Sequence, residues 1–190
     1  MYVLVLMGSP RRGGNTEILV DEALGAAKKQ GARTAKIAVS DFDIRPCLEL
    51  YHCAIDGTCS IRDDMTPLYD ELVAADRIIL ASPIFFYALT SQIKAVIDRC
   101  QALWVRRHVL KSWQPDVEAR RGAIIAVGAT RGPKLFDGAL LTAKYFFDAV
   151  GMTLGERLLV RGVDAKGQIL DQPQRIDEAR SLGRRLVLGA

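Results

Sequence analysis

A chain of 190 residues that is 49% hydrophobic and 25% charged has ordinary globular composition, which excludes intrinsic disorder. Its formal net charge of +4 suits an anionic ligand, but no basic helix or aromatic platform argues for nucleic acid. No apolar run approaches the roughly 18–20 residues of a membrane span, so no membrane partner is expected.

Tyr2–Met7 ("YVLVLM") reads as a first buried strand; with no basic stretch ahead of it, it is not a signal peptide, and the expected address is cytoplasmic. The apolar spacing of Ile18, Leu19, Ala23 and Ala26 predicts a helix over 16–30, stopped by Gly31. A short strand is expected over 34–39, then an irregular cysteine-bearing stretch over 40–62. A helix over 64–75 leads to a third strand over 77–81 ("RIILA"), with a turn at Ser82 and Pro83. A helix over 90–99 turns Ile93, Val96 and Ile97 inward. An irregular insertion over 101–121 carries both tryptophans, Trp104 and Trp113. A strand over 123–128, a helix over 135–150, a strand over 156–163 and a helix over Pro173–Leu188 complete the chain.

Five strands alternating with helices imply parallel pairing through right-handed crossovers, hence one three-layer, doubly wound α/β domain over 1–190. Five strands favour the flavodoxin-like order 2-1-3-4-5, with ligands outside the carboxyl ends of the strands. Three loops lie at that edge: "GSPRRGGNT", "SPIFFYALT" and "GATRGPKLFDG".

The first of these has the chemistry of an anion site. Ser9 and Thr16 offer hydroxyls, Arg11 a charged fork, and Gly13 and Gly14 a close backbone approach. The helix that follows presents free N–H groups and a positive dipole end. The loop is neither a Walker A loop nor Gly-x-Gly-x-x-Gly. In the second loop Phe85, Phe86 and Tyr87 are consecutive aromatics, which calls for something to cover. Together the loops point to a ligand with a phosphate at one end and a flat ring at the other.

These two segments, "GSPRRGGNT" and "SPIFFYALTSQIKAVIDR", resemble the NADPH-dependent FMN reductase-like flavoproteins. The resemblance implies that Ser9, Arg11, Gly14, Asn15 and Thr16 hold the FMN phosphate. It implies that Pro83, Ile84, Phe85, Phe86 and Tyr87 line the isoalloxazine, and that Ala129, Thr130 and Arg131 close over its pyrimidine side. Phe85 stands where the family often has tyrosine, and Thr90 near a common proline.

The segment "PCLELYHCAIDGTCSIRDDM" resembles the iron–sulfur flavoprotein branch of the same family. Cys47, Cys53 and Cys59 take three of that branch's four cysteine positions, and Leu50 takes the other. An Fe4–S4 cluster normally takes four thiolates, so the expectation is a relative without a cluster. Zinc on the three cysteines and His52 is the alternative. Cys100 is expected to be a buried packing residue. The resemblance implies an oxidoreductase in which NADPH or NADH reduces bound FMN, and the FMN then reduces a flavin, quinone or similar small acceptor. The flavin carries the chemistry, so no protein acid–base group is expected. A homodimer or homotetramer is implied. Two other readings stay open: an electron carrier between protein partners, and a metal- or cluster-bearing redox module on Cys47, Cys53 and Cys59. The aromatics of the insertion are expected to pack on a neighbour, or else Arg106, Arg107 or Lys111 meets the 2′-phosphate of NADPH.

Overall fold

The computed structural model describes residues 1–189. Strands β1 (Tyr2–Met7), β2 (Arg33–Ala38), β3 (Arg77–Phe85), β5 (Arg121–Gly128) and β6 (Thr153–Arg161) form a parallel sheet in the order β2-β1-β3-β5-β6. The two-residue β4 (Ala88–Leu89) pairs antiparallel with the end of β3. Counting the parallel strands alone, this is the expected order 2-1-3-4-5. Val3 aligns with Thr34 on one side and Arg77 on the other, so β1 is an interior strand.

β1 is apolar throughout because both faces of the sheet are covered. Leu4, Leu6, Ile78, Leu80 and Ile124 pack toward α3 (Met65–Ala74), α4 (Ser91–Arg99) and α6 (Asp137–Ala149). Val3, Val5, Ile79 and Ile125 face α1 (Asn15–Lys29) and α7 (Pro173–Leu188). Among the described residues, no helix is long and apolar enough to cross a membrane.

The stretches expected to be irregular are partly ordered. A single turn, α2 (Cys53–Asp56), sits inside the cysteine segment. The insertion begins as helix: α5 (Gln101–Trp104) continues from α4 and passes into a π-helical turn over Val105–Val109. The run is too short to show a period in sequence, and burial of Ala102, Leu103 and Val105 holds it. Trp113 packs against the core and lies 5.4 Å from the Arg120 guanidinium.

Candidate functional site

Three chain reversals meet at the carboxyl edge of β1, β3 and β5. Gly8, just past β1, must be a glycine: a Cβ there would lie 2.7 Å from Cβ of Ile93 on α4. That closeness lets the Thr90 hydroxyl donate to the Gly8 carbonyl at 2.7 Å, fastening the first loop to the base of the second. Thr90, which departs from the family's usual residue, thus ties the two ligand loops together.

Within the first loop the Ser9 hydroxyl accepts from the Arg11 N–H at 3.2 Å and turns the chain. α1 then starts at Gly14, with no side-chain cap on its first N–H groups. Those donors therefore remain directed at the cleft. The acidic residue of the first turn is neutralised. The Lys36 ammonium holds the Glu17 carboxyl below its usual range against the opposing effect of burial, helped by the Gly13 N–H at 2.6 Å. Arg12 is exposed and pairs with Asp41 at the surface. Arg11 turns the other way and donates to the Asp164 carbonyl at 3.0 Å.

The second loop differs from the expected turn at Ser82 and Pro83. β3 runs on through Pro83, which aligns with Val127 of β5, to Phe85, and reverses only at Phe86 and Tyr87. The Ser82 hydroxyl stabilises this by accepting from the Thr90 N–H at 3.2 Å and donating to the Pro83 carbonyl at 2.7 Å. Both reversal residues have positive φ, 48° at Phe86 and 63° at Tyr87. That is the pattern of a type I′ hairpin, which favours Asn-Gly and penalises bulky side chains. Phe86 is fully exposed at the tip. A strained turn carrying aromatics is the kind of cost that persists at ligand sites. Replacing the pair, Phe86→Asn with Tyr87→Gly, is expected to raise stability by about 1–2 kcal/mol and weaken flavin binding. Thermal melts and flavin titration of the double variant check both halves, and unchanged flavin binding would remove the ligand role.

Between these loops lies a cleft of about 170 Å³. Ser9, Arg11, Gly14, Asn15 and Thr16 form one wall, and Pro83, Ile84 and Phe85 the other, with Ala129 at one end. Four expected residues stand outside it. Phe86 and Tyr87 occupy the hairpin tip, where the Tyr87 hydroxyl leans on Gly132. The Thr130 carbonyl accepts from the Gly162 N–H, and the Arg131 guanidinium lies against Gly162. Asn15 lines the cleft, yet its carboxamide is engaged elsewhere: Nδ2 donates to Ala165 O at 2.9 Å and Oδ1 accepts from Ile169 N at 3.2 Å. Its role is to hold the loop after β6 against the first loop. Pro10, Val127, Val163 and Asp164 also line the cleft and were not anticipated. Applying the strand-end rule to the last strand as well would have found Val163 and Asp164.

FMN fits this donor set in character. A cation, buried hydroxyls and an uncapped helix start stand opposite an apolar wall of Pro83, Ile84, Phe85 and Val127. At about 170 Å³ the cleft is smaller than the usual 300–1,000 Å³ of ligand pockets, so it has room for only part of such a ligand. The ring would rest along the exposed hairpin.

The cysteines lie in a separate groove of about 670 Å³, which Cys47, Cys53 and Cys59 line together with Leu50, Tyr51 and Trp104. Burial, with the other two thiols nearby, pushes the Cys53 thiol up. Among the described residues, no group of three His, Cys, Asp or Glu side chains converges as a metal ion requires. With Leu50 in place of a fourth thiolate, these residues do not fit a four-cysteine cluster. Of the insertion's candidate cations, Arg106 donates to the Gly57 carbonyl at 2.8 Å and Arg107 pairs with Asp148 at 2.9 Å, while Lys111 is exposed. Cys100 is buried as expected.

A family profile described as NADPH-dependent FMN reductase matches residues 1–155. An iron–sulfur flavoprotein of Methanocaldococcus jannaschii is 35% identical over 131 residues, 69% of this chain and 64% of that protein. Another, from Methanosarcina thermophila, is 34% identical over 131 residues, 69% of this chain and 65% of its own length. The match therefore spans less than two thirds of these relatives. A candidate NAD(P)H-dependent FMN-containing oxidoreductase of Bacillus subtilis is 26% identical over 186 residues, covering 97% of this chain and 98% of that one. Among solved structures, an NAD(P)H:quinone oxidoreductase from Methanothermobacter marburgensis superposes with a TM-score of 0.75 at 14% identity, covering 98% and 96% of the two chains. An archaeal flavodoxin gives a TM-score of 0.59 at 16% identity, covering 100% and 98%. At those identities the likeness shows the fold, which is flavodoxin-like.

Proposed function

Because the chain belongs to the NADPH-dependent FMN reductase family, we propose that it is an FMN-dependent oxidoreductase that takes electrons from NADPH or NADH and passes them to a small acceptor such as a free flavin or a quinone. The observation that carries this reading is the cleft, where the uncapped start of α1 and Arg11 face the apolar wall of the β3–β4 hairpin. When bound, FMN supplies hydride acceptance from the pyridine nucleotide and onward delivery of the electrons.

The chain's own residues bind and orient. Arg11, Ser9, Thr16 and the first N–H groups of α1 hold the phosphate by charge and hydrogen bonding. Pro83, Ile84 and Phe85 exclude water from the ring's edge, and the exposed Phe86 and Tyr87 cover a ring face. The protein works in the cytoplasm as a homodimer or homotetramer, with flavin near a subunit contact.

Anaerobic mixing of the FMN-loaded protein with NADPH, and separately with NADH, tests the reductase reading. Loss of the flavin absorbance with at least one nucleotide is expected. Persistence with both would replace the enzyme by an electron carrier between proteins. A broad iron–sulfur absorbance beneath the flavin bands would instead support the cluster-bearing alternative.

A further inference from the structure

The segment after β6 lies beyond residues 1–155, which the family profile matches, yet it is fastened to the first loop at three points. Arg11 Nη1 donates to Asp164 O at 3.0 Å, Asn15 Nδ2 donates to Ala165 O at 2.9 Å, and Ile169 N donates to Asn15 Oδ1 at 3.2 Å. Between the first two tethers and the third sits Lys166. Its Cε and Nζ lie 3.3 Å and 3.5 Å from the place a Cβ on Gly13 would occupy. Gly13 has φ +61°, so glycine is favoured there twice over: by backbone conformation and by the room the lysine needs.

We propose that residues 163–168 form a second wall of the phosphate site and that Lys166 is a cation for the FMN phosphate. The proposal rests on the FMN reading above. A phosphate monoester carries about −1.5 to −2 charges at neutral pH. The start of α1 contributes roughly half a positive charge and Arg11 one; against the phosphate and the Asp164 carboxylate together, a second side-chain cation completes the balance. The neighbouring acids are already matched, Glu17 by Lys36 and Asp41 by Arg12. Asp164 is the acidic residue on the cleft, and it is the Asp164 carbonyl that takes the Arg11 bond. Lys166 is exposed and reaches over Gly13 without packing in the core, so its replacement leaves the fold intact.

The test compares FMN with riboflavin, which lacks the phosphate, by quenching of flavin fluorescence on the flavin-free protein. Lys166→Ala is expected to weaken FMN about tenfold while leaving riboflavin unchanged, and Lys166→Arg to retain most of the FMN affinity. FMN affinity in Lys166→Ala within about twofold of the parent overturns the inference and leaves the flavin reading standing. Equal weakening of both ligands also overturns it, because that marks a structural effect. A parent protein that binds neither flavin overturns the flavin reading, and the inference with it.

Discussion

Asp63→Asn is expected to destabilise the protein by about 3–5 kcal/mol, read as a lower urea midpoint with an unchanged slope. Arg99 is 1% exposed and lies at the end of α4. Its guanidinium grips the Asp63 carboxylate with two bonds, Nη1 to Oδ2 at 2.7 Å and Nη2 to Oδ1 at 3.2 Å. The same nitrogens donate to the carbonyls of Arg45 and Ile61, both at 3.0 Å. Removing the carboxylate charge leaves a buried cation without a counter-charge, and that desolvation penalty sets the size of the effect. A loss below about 1 kcal/mol would show that the pair is solvated and marginal.

The same pair sets a pH dependence. Burial opposes ionisation of Asp63, but hydrogen bonds from Arg99 and from the Arg45 and Met65 N–H groups outweigh it and hold the carboxyl below its ordinary range. A carboxyl depressed in the folded state contributes stability above its unfolded value, about 3.9, and loses it as pH falls through the folded value. Stability measured from pH 7 down to pH 2 should therefore fall less steeply in Asp63→Asn than in the parent. Parallel curves would remove Asp63 from the acid transition.

Arg11→Ala is expected to weaken FMN by about 10- to 100-fold, as when a charged hydrogen-bond partner is lost. Arg11 also anchors Asp164, so this variant should loosen the loop after β6 and lower riboflavin affinity slightly, whereas Lys166→Ala should not. Equilibrium titration of both flavins against both variants separates the two effects. Unchanged FMN affinity in Arg11→Ala would place the phosphate elsewhere.

The strand order and the edge that carries the cleft were legible because alternating apolar strands and amphipathic helices leave few topologies open. The wall of the cleft suited to an anion was legible because Ser9 through Thr16 are local: one loop and one helix start supply the donors. Asn15 shows the limit of that locality. Its residue type suits an anion, but its partners Ala165 and Ile169 lie about 150 residues away in sequence. The family-like pieces "RDDM" and "IDR" show the same limit. Read singly they resemble flavoprotein segments; folded together, Asp63 and Arg99 are a buried brace and touch no part of the cleft.

Sequence by itself determined the layers, the sheet order and a first loop built for an anion, because periodicity and glycine, hydroxyl and arginine chemistry act over a few residues. Tertiary structure alone supplied the partners of the two arginines, Arg11 being already the one assigned to the anion. Asp41, brought in after β2, takes Arg12, and Asp164, brought in after β6, takes Arg11. It also decided that the aromatics form a strained hairpin tip and that Lys166 comes over Gly13. Each of these depends on closure of the sheet across long stretches of chain, and no local pattern encodes the partner that closure delivers.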